Sequence, residues 1–105
     1  VRRANAYLHA GADCVYPIGM LDRDMIADLV KAIAGPINIL GGPPAPTLPE
    51  LAQLGVARVS LAGGPIRAVL GHLRAIAQEL REHGTYTGMT TDALSSAEFR
   101  SLFST

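Results

Sequence analysis

Apolar positions along the chain fall into two alternating rhythms. Val1, Ala4 and Leu8, with Tyr7 beside them, recur at the spacing of one helical face. Gly11 ends that run and Ala12-Asp13 leads into Cys14-Val15-Tyr16-Pro17-Ile18. These five residues predict a short buried strand with Pro17 at its end, where a missing ladder N–H is tolerated. Asp22 is placed to cap a helix whose Ile26, Leu29, Val30 and Ile33 follow the i, i+3, i+4, i+7 template, and Gly35-Pro36 stops it. Ile37-Asn38-Ile39-Leu40 predicts a second strand, mostly apolar as a strand covered on both faces should be. The prolines of Gly41-Gly42-Pro43-Pro44-Ala45-Pro46 stiffen the loop that follows. Thr47-Leu48-Pro49-Glu50 then matches a capping box for a short helix closed by Gly55. Val56-Ala57-Arg58-Val59-Ser60-Leu61 predicts the third strand. A long helix begins near Pro65, aligns Ile66, Val69, Leu70, Leu73, Ala77 and Leu80 on one face, and ends at Gly84. Beyond a Thr/Gly-rich connection, Ser95-Ser96-Ala97-Glu98 opens a last small helix carrying Phe99, Leu102 and Phe103.

The predicted order is a helix, three βα units and a tail helix. That is the grammar of an α/β fold with a parallel sheet, in which the loops after the strands carry the chemistry. Residues 1–84 are expected to form the βα part and 85–105 a helical tail. Three parallel strands leave an unpaired edge on each side, and a chain of 105 residues buries only a modest share of its apolar surface. The chain is therefore expected to belong to a longer barrel, to self-associate as a homo-oligomer, or both.

Composition narrows the partners. The chain is 49% apolar and 17% charged, which suits a packed fold and not a disordered one. Nine Lys and Arg balance nine Asp and Glu, so neither nucleic acid nor an anionic membrane is signalled. The lack of Trp argues against a base-stacking surface. The single cysteine, Cys14, excludes an internal disulfide or a cysteine metal cluster, and a reducing, cytoplasmic setting is expected. No apolar run approaches the about 20 residues of a membrane span. Val1-Arg2-Arg3-Ala4 has no apolar stretch behind it and does not read as a signal peptide.

Three segments resemble the isocitrate lyase/phosphoenolpyruvate mutase superfamily. They are Arg3-Ala4-x-Ala6-Tyr7-x-x-Ala10-Gly11-Ala12-Asp13, Pro36-Ile37-Asn38-Ile39-Leu40, and Glu50-Leu51-x-x-Leu54-Gly55-Val56-x-Arg58-Val59-Ser60. The resemblance runs over essentially the whole chain. It implies the C-terminal three βα units of a (β/α)8 TIM barrel plus a C-terminal tail helix. It also implies, for a complete enzyme of about 250 residues, Mg²⁺-assisted making or breaking of a C–C or C–P bond in a small oxo-acid. A metal suits that chemistry because it neutralises a developing enolate oxygen. The family's acidic metal ligands and catalytic loop belong to earlier strands. No metal ligand or catalytic residue is assigned to this chain, no cofactor is expected to bind it alone, and it should be inactive by itself. Near Pro17, several members of the superfamily carry a Glu, which leaves the subclass open.

Asn38 is the main site candidate. The resemblance puts it where family members face the substrate carboxylate, and an amide can donate there without adding charge. A satisfied structural amide is the other reading, since a polar side chain within an apolar strand needs a partner. Ser60 could point into a barrel lumen, though a structural role for it and Arg58 is the simpler account. Gly63 and Gly64, ahead of a helix, could hold an anion such as a phosphate group through their N–H groups, and a tight turn needs glycine in any case. Cys14 reads as a small buried hydrophobe. His9, His72 and His83 lack metal-ligand spacing, and Arg67, Arg74 and Arg81 form a solvated stripe. A truncated, self-associating module with a structural or binding role and no catalysis remains the alternative to an enzyme fragment.

Overall fold

A computed structural model describes residues 1–19 and 21–104. It contains α1 (Arg2–His9), α2 (Arg23–Ala32), β1 (Asn38–Leu40), α3 (Leu48–Leu54), β2 (Arg58–Ser60), α4 (Gly64–His83), α5 (Thr87–Thr90) and α6 (Ser96–Ser101). Contacts group the chain into two units, Val1–Gly64 and Pro65–Thr105.

In the first unit, β1 and β2 pair in parallel with Asn38 opposite Arg58, Ile39 opposite Val59 and Leu40 opposite Ser60. The strand expected over Cys14–Ile18 shrinks to one parallel bridge between Val15 and Ile37. Val15 donates its N–H to Pro36 O at 3.0 Å and accepts from Asn38 N–H at 2.8 Å. Two residues later Pro17 has no N–H to donate, which stops the ladder, and Ile18 is 77% exposed. This bridge uses one edge of the β1 segment, while the bonds from Ala57 and Arg58 N–H to Ile37 O lie on the other.

The core consists of Val15, Ile26, Ile33, Ile37, Ile39 and Leu51. The predicted α2 face is thus correct: Ile26 and Ile33 are buried, and Leu29 and Val30 pack at the rim. Asp22 caps α2 by accepting from Met25 N–H at 3.0 Å. Gly55 ends α3 at φ 92°, a left-handed conformation that a Cβ would strain, and a Cβ there would also lie 3.3 Å from Val30 Cγ1. Asn5 does something its sequence position did not announce. Its Nδ2 donates to Ala32 O at 3.1 Å and its Oδ1 accepts from Ala34 N–H at 2.9 Å, so one side chain ties α1 to the C-terminal end of α2.

In the second unit, α4 forms over the predicted span, ending at His83 before Gly84, and Arg67, Arg74 and Arg81 are exposed as expected. Its apolar residues Ile66, Val69, Leu70, Leu73 and Leu80 are exposed as well. The connection after Gly84 contains a one-turn helix, α5, that the polar sequence did not reveal. The predicted capping box of α6 is present: Ser95 N–H donates to Glu98 Oε2 at 2.9 Å and Glu98 N–H to Ser95 Oγ at 3.2 Å. Among the described residues, no helix is long and apolar enough to cross a membrane.

Candidate functional site

Alternation along a strand decides which side chains meet. Asn38 and Leu40 lie on one face of β1, and Arg58 and Ser60 lie on the same face of β2, because parallel pairing preserves the period of two. Ile39 and Val59 take the opposite face. Asn38 and Ser60 are diagonal neighbours across the pair, within reach of each other's polar atoms.

They bond. Asn38 Nδ2 donates to Ser60 Oγ at 2.8 Å, and the Ser60 hydroxyl donates to Asn38 Oδ1 at 3.2 Å. Asn38 is fully buried, and no buried side-chain nitrogen or oxygen among the described residues lacks a partner. Ser60 is thus the partner that the structural-amide reading of Asn38 requires. The pair is a neutral cluster of donors and acceptors, closed on itself and carrying no charge.

The ends of both strands are fastened together. Gly41 N–H donates to Ser60 O at 2.8 Å, and a Cβ on Gly41 would stand 2.7 Å from Val59 Cγ1 and 3.0 Å from Leu61 Cδ2. A side chain at residue 41 would have to displace Val59 and Leu61, so glycine suits that approach. Past β2, the chain turns tightly, with Gly64 N–H bonded to Leu61 O at 2.9 Å and Ala62 at φ 47°. One of the amides that the Gly63-Gly64 turn could offer an anion is thus already used. No hydrogen bond joins Gly63 or Gly64 to the Asn38–Ser60 pair among the described residues.

A divalent cation does not fit the residues described. Mg²⁺ takes oxygen ligands and is usually held by carboxylates. Asn38 and Ser60 are neutral and engaged with each other, and no group of three or more His, Cys, Asp and Glu among the described residues is placed to hold a metal. Cys14 is half-buried, and its thiol lies 3.7 Å from Val15 O.

A profile of phosphoenolpyruvate phosphomutase matches residues 1–81. The chain belongs to the phosphoenolpyruvate phosphomutase family. Its expected membership of the isocitrate lyase/phosphoenolpyruvate mutase superfamily is therefore correct. A crystal structure of a Burkholderia cenocepacia protein assigned as a lyase/mutase superposes with a TM-score of 0.85 at 39% identity, over 99% of this chain and 38% of that one. A second Burkholderia cenocepacia structure, assigned as a phosphonomutase, gives a TM-score of 0.64 at 35% identity over 74% of this chain and 31% of that one. An uncharacterized Mycobacterium tuberculosis protein, found in two strains, is 41% identical over 70 residues, which is 67% of this chain and 27% of its own length. The mixed helix–strand fold is that of lyase/mutase proteins of the TIM-barrel type. The chain spans about a quarter to two-fifths of the length of the relatives it matches.

Proposed function

We propose that this chain is the C-terminal part of a lyase or phosphonomutase that makes or breaks a C–C or C–P bond in a small oxo-acid. Residues 1–84 supply the last three βα units of a (β/α)8 barrel, and 85–105 a helical tail. The observation that carries this reading is the family match over residues 1–81, together with the overlap of 99% of the chain on 38% of a 39%-identical lyase/mutase. In the complete protein, Mg²⁺ would neutralise the charge that develops on an enolate oxygen. Its ligands would come from segments outside this chain, since the residues present do not suit it. A cytoplasmic setting goes with this chemistry.

Asn38 has a defined part in this reading. In this reading the buried amide becomes reachable in the complete protein, a substrate carboxylate oxygen accepts from Nδ2 in place of Ser60 Oγ, and the Ser60 hydroxyl remains the partner of Oδ1. One neutral hydrogen bond is exchanged for a charge-assisted one, which favours the ligand-bound arrangement. Ser60 is then a positioning residue for Asn38. Gly63 and Gly64 shape the loop beyond, where an anionic group would be met by the Gly63 N–H, the Gly64 N–H being held by Leu61 O.

The test is an NMR titration of the 105-residue chain with pyruvate and with oxalate, with and without Mg²⁺. The expected result is a saturable shift of the Asn38 side-chain NH₂ resonances and no turnover. Mg²⁺-dependent turnover by this chain alone would overturn the partial-barrel reading, and an unmoved Asn38 amide at saturating oxo-acid would make the residue purely structural. A second reading, a self-associating homo-oligomeric module without catalysis, is favoured by the exposed apolar positions of α4.

A further inference from the structure

The turn between α4 and α5 is organised by a single carboxylate that the proposed chemistry does not use. α5 is one turn long, and its N-cap residue, Tyr86, makes no side-chain capping bond. The first amides of a helix have no partner within the helix, so an uncapped single turn has little to hold it. Glu79, on α4, supplies what Tyr86 cannot. Its Oε1 accepts from Thr87 N–H at 2.8 Å and its Oε2 from Gly88 N–H at 2.8 Å. Its Oε1 also accepts from the Thr85 hydroxyl at 2.5 Å. Even its backbone takes part, with Gly84 N–H reaching Glu79 O at 3.2 Å. Four of the five residues from 84 to 88 thus donate to one residue.

The packing beneath is equally specific. A Cβ on Gly88 would lie 2.9 Å from Glu79 Oε2 and 3.1 Å from Ile76 Cγ1. A side chain at residue 88 would crowd the Glu79 carboxylate and Ile76, so glycine suits the close seat of the turn on α4. We infer that Glu79 is a clasp: it caps α5 from a neighbouring helix and fixes the direction in which the segment from Thr85 onward leaves α4. The inference rests on the second unit alone and stands apart from the proposed chemistry of Asn38.

Charge is consistent with the clasp. The Thr85 hydroxyl first, then the Gly88 and Thr87 amides, hold the Glu79 carboxyl below the usual carboxylate range. The other titratable groups nearby in sequence are Arg81 and Glu82, which pair with each other at 3.1 Å, and His83, Tyr86 and Asp92; none of them contributes a charge effect on Glu79. α5 itself carries no titratable side chain.

Two variants of the full chain test the clasp by amide hydrogen exchange. Glu79→Ala removes every side-chain acceptor and keeps a strong helix former in α4. Gly88→Ala keeps the Glu79 side chain but sets a methyl against its Oε2 and Ile76, which crowds the bonds to Thr87 and Gly88. Both are expected to speed exchange at Thr87 and Gly88 roughly tenfold, the equivalent of losing one charge-assisted hydrogen bond, while Leu73 and Ala77 in α4 keep their rates. Acidification of the wild-type chain should open the same two amides as Glu79 is protonated. The proposal fails if Thr87 and Gly88 exchange at unprotected rates in the wild-type chain, or if Gly88→Ala leaves them unchanged. Should Glu79→Ala loosen all of α4, Gly88→Ala decides, because it sits outside that helix.

Discussion

Asn38 is tolerated in the core because Ser60 answers both ends of its amide. An unpartnered buried amide costs about 1–3 kcal/mol, comparable to the burial of an aliphatic neighbour. Ser60→Ala is therefore expected to lower the unfolding free energy by about 1–3 kcal/mol, read from urea midpoints. Asn38→Leu combined with Ser60→Ala should cost less than the two single changes together, since each single change strands a partner that the double change removes. Strict additivity would mean that the pair carries no coupling energy. Asn38 was legible in the sequence as a polar residue among isoleucines. Its partner was not, because only the register, with Arg58 opposite Asn38 and Ser60 one period further, brings the hydroxyl within 2.8 Å. Asn5 escaped for a related reason: a polar residue in a helix announces a solvated position far more often than a clamp on another helix's backbone.

The short elements depend on their ends, and α3 shows how. Glu50 accepts from Thr47 N–H at 2.9 Å and from the Thr47 hydroxyl at 2.6 Å, and Arg23 Nη1 lies 3.8 Å away. The Thr47 hydroxyl first, then its amide, with a smaller pull from Arg23, hold the Glu50 carboxyl below its ordinary value of 4.5. A carboxyl whose pKa falls on folding stabilises the fold fully above the unfolded value and stops doing so as pH drops through the folded one. Glu50→Gln should therefore lower the urea midpoint at neutral pH, and the difference from wild type should vanish well below pH 4.5. Equal midpoints at both pH values would show that this cap contributes nothing. Signals of this kind are local, which is why the capping boxes of α3 and α6 and the Asp22 cap of α2 could be read directly from the chain. The strand over residues 14–18 was not fixed locally: an apolar run cannot declare how many ladder bonds its partner will offer, and Pro17 removed one of them. α5 was hidden for the opposite reason, its cap arriving from Glu79, eight residues before Thr87.

At the scale of the whole molecule, burial is unequal. All six core side chains lie between Val15 and Leu51, whereas α4 leaves Ile66, Val69, Leu70 and Leu73 each more than half exposed on one helical face. Phe99 and Phe103 stack edge-to-face at 5.3 Å and are themselves 56% and 73% exposed. Soluble monomers rarely carry apolar patches beyond a few hundred Å² without covering them. In the longer relatives, other segments of the barrel are available for this purpose. In the 105-residue chain by itself, a second copy is the available cover, and sheet edges beside residue 15 and β2 add unpaired backbone groups that favour the same outcome. Light scattering at micromolar concentration should thus give a mass above the 11.0 kDa of one chain. Val69→Glu together with Leu73→Glu should bring that mass down toward the monomer, with the helical circular dichroism retained because Glu suits a helix. A wild-type chain that scatters as a monomer and unfolds cooperatively would show that the apolar face of α4 needs no partner. Association that survives both glutamates would move the contact away from that face, to the sheet edges or to Phe99 and Phe103.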